Sequence, residues 1–327
     1  MFKKLLVPLD HSPLAEQAIG RAAAIARAAH ASIDVVLVHE PAPFAGFGDA
    51  PWNDEELTYE DRYLETIANE ISTGAAVPVT HTVMRGEAVE MICTRACDID
   101  ADLVIMTSHG RTGLSRAWLG SVARGVLRRS PVPVLMLRPI EGKSARRAAH
   151  HLFKHILVPL DGSVFSADIV SHATALAQCS GARISLLRVV RPVPTVFLDV
   201  DMSLAYPPMV PDAAMTERLV DEANAEVAET ARQIRHAGYV NVDAEVVVAD
   251  STAHAIIDFA LGHSVDAIAM STHGRGASRL FMGSVADKVV RASGLPMLLV
   301  RPVGVSDESA AEETKESLVS MASLRAY

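Results

Sequence analysis

The residues best suited to chemistry sit in one segment. Thr107-Ser108-His109-Gly110 is followed, after nine intervening residues, by Gly120-Ser121. Glycine lets backbone approach a ligand closely and adopt positive φ. Gly120-Ser121 falls where a helix should begin, and free N–H groups together with the helix dipole favour a phosphate there. The Ser121 hydroxyl could add a charge-assisted bond, each worth roughly 1.5–3 kcal/mol. The plainer reading is a glycine turn with Ser121 as a cap, and both readings stand at this point. Asp10 ends the apolar run Leu5–Leu9. Its carboxylate either accepts from a ribose hydroxyl or an amino group, or caps the next helix. His109 and His273 have no Ser or Cys nucleophile with a third orienting residue, so they read as structural or ligand-lining groups rather than bases.

Other chemistries lack their residues. There is no G-x-x-x-x-G-K-[ST], no G-x-G-x-x-G after the first strand and no H-E-x-x-H. Arg124, Arg128 and Arg129 have no interleaved aromatics and read as a solvated face. Cys93 and Cys97 are four apart but lack a second Cys/His pair, so they read as core packing and no metal site is expected. His150, His151 and His155 read as linker residues.

The elements that must position the loop occur twice. Lys3-Lys-Leu-Leu-Val-Pro-Leu-Asp10 returns as Lys154-His-Ile-Leu-Val-Pro-Leu-Asp161, with six of eight positions identical. Met106-Thr-Ser-His-Gly-Arg111 returns as Met270-Ser-Thr-His-Gly-Arg275, and Gly120-Ser-Val-Ala123 as Gly283-Ser-Val-Ala286. The second copy is longer, mainly in the Pro-rich stretch Arg191 to Pro211. Hydrophobic periodicity in the first copy predicts strand Leu5–Leu9, helix Pro13–Ala29 capped by Ser12, and strand Ile33–Val38. A loop over 40–54 precedes a helix through Leu57, Leu64, Ile67 and Ile71. Strand Val77–Val83, helix Ala88–Ala96, strand Leu103–Met106, helix Ser121–Arg129 and strand Val132–Leu137 follow. This βαβαβαβαβ string means a parallel sheet with helices on both faces, with ligands expected at the carboxyl ends of the strands. The domains are placed at 1–140 and 152–303, joined by a linker over 141–151. The acidic end, 304–327, reads as a flexible tail.

The chain has 327 residues, half of them hydrophobic, and a net charge of −9. That charge offers no overall attraction to nucleic acid or to an anionic membrane. No stretch approaches the roughly 18–20 apolar residues of a membrane span. The apolar run before Pro8 is too short for a secretory signal. Three sparse cysteines point to a reducing, cytoplasmic setting.

Val-Pro-Leu-Asp ending the first strand, the Gly-Ser loop after the fourth and the closing Pro-Val-Leu-Met-Leu-Arg-Pro strand together resemble the universal stress protein family. The resemblance covers 2–139 and 153–302, as a tandem pair. It implies an α/β fold of two tandem five-stranded parallel-sheet sandwiches, Rossmann-like, order 3-2-1-4-5, with helices on both faces. It also implies a stress-response protein that binds ATP, with or without Mg2+, through the loop after strand four. Carried over by position, Pro8, Leu9 and Asp10 would lie near adenine and ribose. Glu40 falls where the family has an apolar adenine contact. Met106, Thr107, His109, Gly110, Gly120, Ser121 and Val122 would hold ribose and phosphates. The second set is Pro159, Asp161, Val189, Met270, Ser271, His273, Gly274, Gly283, Ser284 and Val285.

The departures are specific. Thr107 and Ser271 stand at the first motif glycine. The second loop is one residue shorter, and Asp250 is aligned with Gly86. Repeat one is therefore expected to hold the better site. A binding or signalling module is expected rather than an enzyme, with slow ATP hydrolysis left open. The alternative is an interaction scaffold of the same family that binds no nucleotide. An adenylyl-transferring enzyme is set aside because His11 stands alone near strand one. The family's habit of associating through its last strand predicts that the two repeats form a pseudo-dimer, with a further homodimer left open.

Overall fold

The computed structural model describes residues 2–40, 54–109, 119–139, 151–163, 166–194, 212–272 and 282–301. Repeat one runs β1 (Lys4–Leu9), α1 (Gln17–Ala29), β2 (Ser32–His39), α2 (Asp54–Ala75), β3 (Val79–Arg85), α3 (Ala88–Asp98), β4 (Leu103–Thr107), α4 (Ser121–Arg129) and β5 (Val134–Leu137). Repeat two runs β6 (His155–Leu160), α5 (Ser166–Ser180), β7 (Arg183–Val190), α6 (Ala213–His236), β8 (Val242–Val248), α7 (Thr252–Gly262), β9 (Ala267–Ser271), α8 (Ser284–Ala292) and β10 (Met297–Val300). Most of the expected linker and the acidic tail lie outside the described residues.

Within each repeat the strands pair in parallel. The first repeat has the order β3-β2-β1-β4-β5. β1 is apolar throughout because both its faces are covered. Leu5, Val7 and Leu9 join the core under α1 and α2, while Leu6 joins the core under α3 and α4. The closing strands β5 and β10 pair with each other antiparallel, Leu135 opposite Leu298. Each repeat's apolar edge thereby covers the other's, and the whole is one ten-stranded sheet. No described helix is long and apolar enough to cross a membrane.

Several element ends differ from expectation. α1 begins at Gln17, not Pro13. Its approach is wound more tightly, with Gln17 N bonded to Leu14 O and Ala18 N to Ala15 O. Ser12 still caps this turn, its Oγ accepting from Ala15 N at 3.0 Å. β3 and β5 begin after Pro78 and Pro133, which have no N–H for a ladder. Cys93 is half-buried against the α3–α4 core, where burial pushes its thiol up to about 11. Cys97 is exposed, so core packing does not describe it.

His155 is not a linker residue. It opens β6 and is buried. Its Nδ1 donates to His263 O at 3.0 Å, so Nε2 accepts from Ser185 Oγ at 2.7 Å. Burial lowers both His155 and the half-buried His172 below their ordinary 6.5. A depressed histidine contributes stability that is complete above the unfolded value and is lost as pH falls below it. Unfolding midpoints are therefore expected to fall between about pH 7.5 and pH 5.5. The fall should be shallower in His155→Gln. An equal slope in both proteins would count against this role.

Gly125 lets α4 lie close against α3. A Cβ there would collide with Val89 Cγ2, a stiff branched side chain. Overpacking costs about 1–3 kcal/mol, against about 1 kcal/mol gained in helix propensity. Gly125→Ala is expected to lose up to about 2 kcal/mol in denaturant unfolding, as the difference of those two effects. Adding Val89→Ala should relieve most of the strain. Repeat two has Ala253 and Lys288 at the matching positions, a different division of the same space.

Candidate functional site

β1 delivers Asp10 to the carboxyl edge of the sheet. The chain turns at once there: Asp10 Oδ1 accepts from Ser12 N at 3.0 Å, and His11 has φ 63°. The second repeat repeats the device, Asp161 Oδ1 accepting from Ser163 N at 2.9 Å beside Gly162 at φ 71°. The capping reading of Asp10 is thus partly correct, for its own turn rather than for α1.

β4 delivers Met106 and Thr107, with Ser108 and His109 just beyond. Ser108 N bonds to Leu137 O at 2.8 Å, continuing the ladder to β5. Thr107 Oγ1 donates to His109 O at 2.8 Å, so the residue at the first motif glycine tightens the loop entrance. His109 is buried, with its Nδ1 3.1 Å from Ser108 Oγ. The far end of the loop is pinned to the near end by Gly120 N bonding to Ser108 O at 2.8 Å. A Cβ on Gly120 would come within 3.2 Å of that same oxygen. Close approach, not φ, is what requires glycine here. Repeat two keeps the pin, Gly283 N to Thr272 O at 2.8 Å.

Two helix N-termini meet at this edge, and they are treated oppositely. At α3 the amides are occupied by carboxylates. Ala88 N donates to Glu40 Oε1 at 3.0 Å, Val89 N to Glu87 Oε1 at 3.2 Å and Glu90 N to Glu87 Oε2 at 2.8 Å. At α4 the N-cap is Gly120, which has no side chain to offer. The first intrahelical bond there is Arg124 N to Gly120 O at 3.0 Å. The amides of Ser121, Val122 and Ala123 come before it, and these three residues line a cleft of about 270 Å³. Its walls are Pro8, Leu9, Val38, Ile92 and Met106. Asp10, Glu40, Thr107, Ser108 and His109 supply its polar groups.

All the sequence-predicted residues of repeat one that are described line this cleft: Pro8, Leu9, Asp10, Glu40, Met106, Thr107, His109, Gly120, Ser121 and Val122. Gly110, His273 and Gly274 lie outside the described residues. Val38, Ala88 and Ile92 were missed. β2 and β7 align Val38, not Glu40, with Val189, so the repeat itself contained the signal for Val38. Glu40 is the cap of α3.

Residues 1–138 and 152–301 each match the model of the universal stress protein family. The chain belongs to that family. A universal stress protein of Thermus aquaticus is 32% identical over 156 residues, 46% of this chain and 100% of the relative. One from Methanocaldococcus jannaschii is 28% identical over 141 residues, 42% of this chain and 83% of the relative. The crystal structure of a universal stress protein from Archaeoglobus fulgidus covers 93% of this chain and 97% of its own, at 19% identity and TM-score 0.64. The tandem fold of this universal stress protein is therefore shared over both repeats.

The second repeat of this universal stress protein has Pro159, Asp161, Val189, Met270 and Ser271 at the matching strand ends, and Gly283, Ser284 and Val285 at the start of α8. Strand register corrects one alignment. Gly86 N bonds to His39 O, and the equivalent bond is Ala249 N to Val190 O. Asp250 is therefore an inserted residue between β8 and α7, not the counterpart of Gly86.

Proposed function

We propose that repeat one of this universal stress protein binds an adenine nucleotide, ATP with or without Mg2+, and that the chain acts as a binding or signalling module rather than by turnover. The amides of Ser121, Val122 and Ala123, which have no side-chain cap among the described residues, open into a cleft whose other helix end is already capped, and they carry this reading. They are donors looking for an anion. Asp10 offers an acceptor for a ribose hydroxyl or base amine, and Pro8, Leu9, Val38 and Met106 offer flat apolar contact to a base. Mg2+ would ride on the phosphates, as it keeps most of its waters and takes few protein ligands. No group of three metal-ligating side chains occurs among the described residues.

Acid precipitation of the purified full-length protein should release an adenine nucleotide into the supernatant, read by absorbance and chromatography. A chain that carries none, and takes up none at millimolar levels, would be the scaffold of the alternative reading. The β5–β10 pairing takes up both closing strands inside the chain. A homodimer would therefore need another surface.

A further inference from the structure

The cap that Glu40 gives α3 uses only half of its carboxylate. β2 ends at His39, and Val38 and Glu40, two residues apart, both line the cleft. Glu40 Oε1 accepts from Ala88 N at 3.0 Å, which fixes the direction of the group. Among the described residues Oε2 has no hydrogen-bond partner. α3 does not depend on this cap alone, since Glu87 accepts from Val89 N and Glu90 N. Repeat two dispenses with it. The equivalent bonds Gly86 N to His39 O and Ala249 N to Val190 O set Arg191 at the position of Glu40. There α7 is capped by Ser251, whose Oγ accepts from His254 N at 3.4 Å. Capping therefore leaves one acceptor oxygen over at the cleft of repeat one, where repeat two has a cation.

The strand order decides what would meet that oxygen. β1 lies between β2 and β4. Asp10 follows β1, Glu40 follows β2, and the α4 amides come after β4. With neighbouring strands about 4.8 Å apart, β2 and β4 end about 10 Å from each other. A nucleotide with its phosphates at α4 and its ribose at Asp10 would bring its base to Glu40, the edge away from the sugar foremost. The charge of Glu40 opposes the reverse orientation. Pro8, Leu9 and Val38 touch the face of a base and cannot tell one purine from another. A carboxylate oxygen accepts only from a donor, and the exocyclic amine of adenine is one. We propose that Glu40 Oε2 reads this amine, so that repeat one selects adenine nucleotides over purine nucleotides that lack it. This rests on the reading of the cleft as a nucleotide site.

The test is calorimetric titration of the full-length chain, wild type and Glu40→Gln, with two ligands. One is ATP; the other is purine riboside triphosphate, in which a hydrogen replaces the exocyclic amine. Glutamine keeps an acceptor for Ala88 N and turns an amide donor toward the base. Wild type should bind ATP about 10-fold more tightly than the analogue, the low end for a charge-assisted bond because Glu40 is exposed. Glu40→Gln should bind the two alike, through loss of ATP affinity. Unchanged affinity for the analogue reports that α3 and the phosphate end are intact. Equal affinities in wild type, or a preference that survives Glu40→Gln, would overturn the inference and leave the nucleotide site standing. Equal losses for both ligands would overturn it by making Glu40 merely the cap of α3. Wild-type protein that binds neither would remove the nucleotide reading and this inference with it.

Discussion

Replacing Arg95 by leucine is expected to destabilise the first repeat by about 3–5 kcal/mol, the cost of stranding a buried charge. Asp34 on β2 is only 2% exposed. Its carboxylate receives Arg95 Nε at 3.0 Å and Nη2 at 2.8 Å, and Thr80 Oγ1 at 2.6 Å. Without the guanidinium a single hydroxyl would have to support a desolvated charge. Repeat two solves the same position without charge. Ser185 replaces Asp34 and bonds to His155, while Phe259 replaces Arg95 and stacks on His263 at 4.0 Å. The double change Asp34→Ser with Arg95→Phe should therefore recover most of the loss, as an apolar or neutral replacement of a buried pair often does. Denaturant unfolding of the single and double variants measures both effects. A loss below about 1 kcal/mol in Arg95→Leu is what an exposed pair would give and would contradict the buried description. Because α3 also carries Ala88 and Ile92 of the cleft, Arg95→Leu should weaken ligand binding too.

Replacing Gly120 by valine should lower nucleotide affinity by about 10- to 1,000-fold, the loss of one or two charge-assisted bonds. The backbone at Gly120, φ −62° and ψ 160°, suits any residue. The effect is instead steric. A side chain there meets Ser108 O, separating the two ends of the loop and turning the α4 amides away from the cleft. Gly283→Val changes the matching position in repeat two, where Gly283 N bonds to Thr272 O at 2.8 Å, and should leave nucleotide affinity unchanged. This pair of variants separates damage to a phosphate site from damage to the shared architecture. The readout is calorimetric affinity, with thermal unfolding confirming that both variants remain folded.

The alternation of strands and helices and the loop after β4 were legible because they depend on local pattern, whereas the order of the strands came only with the family resemblance. Buried parallel strands read as unbroken apolar runs, and Gly120-Ser121 marks a helix start whatever surrounds it. What escaped depends on residues distant in sequence. Glu40 caps α3 only because parallel pairing sets the end of β2 beside the start of α3. His155 and Ser185 meet across β6 and β7, and nothing in the sequence around either signals it. The insertion at Asp250 emerges only from strand register, since motif spacing cannot say on which side of a turn an extra residue falls.

The most direct measurement is the stoichiometry of ATP binding to the full-length chain, with the Gly120→Val and Gly283→Val variants in parallel. One saturable site per chain is expected, lost or greatly weakened in Gly120→Val and retained in Gly283→Val. Two equal sites, a site that disappears only in Gly283→Val, or no uptake at millimolar ATP would each contradict a phosphate nest at the start of α4.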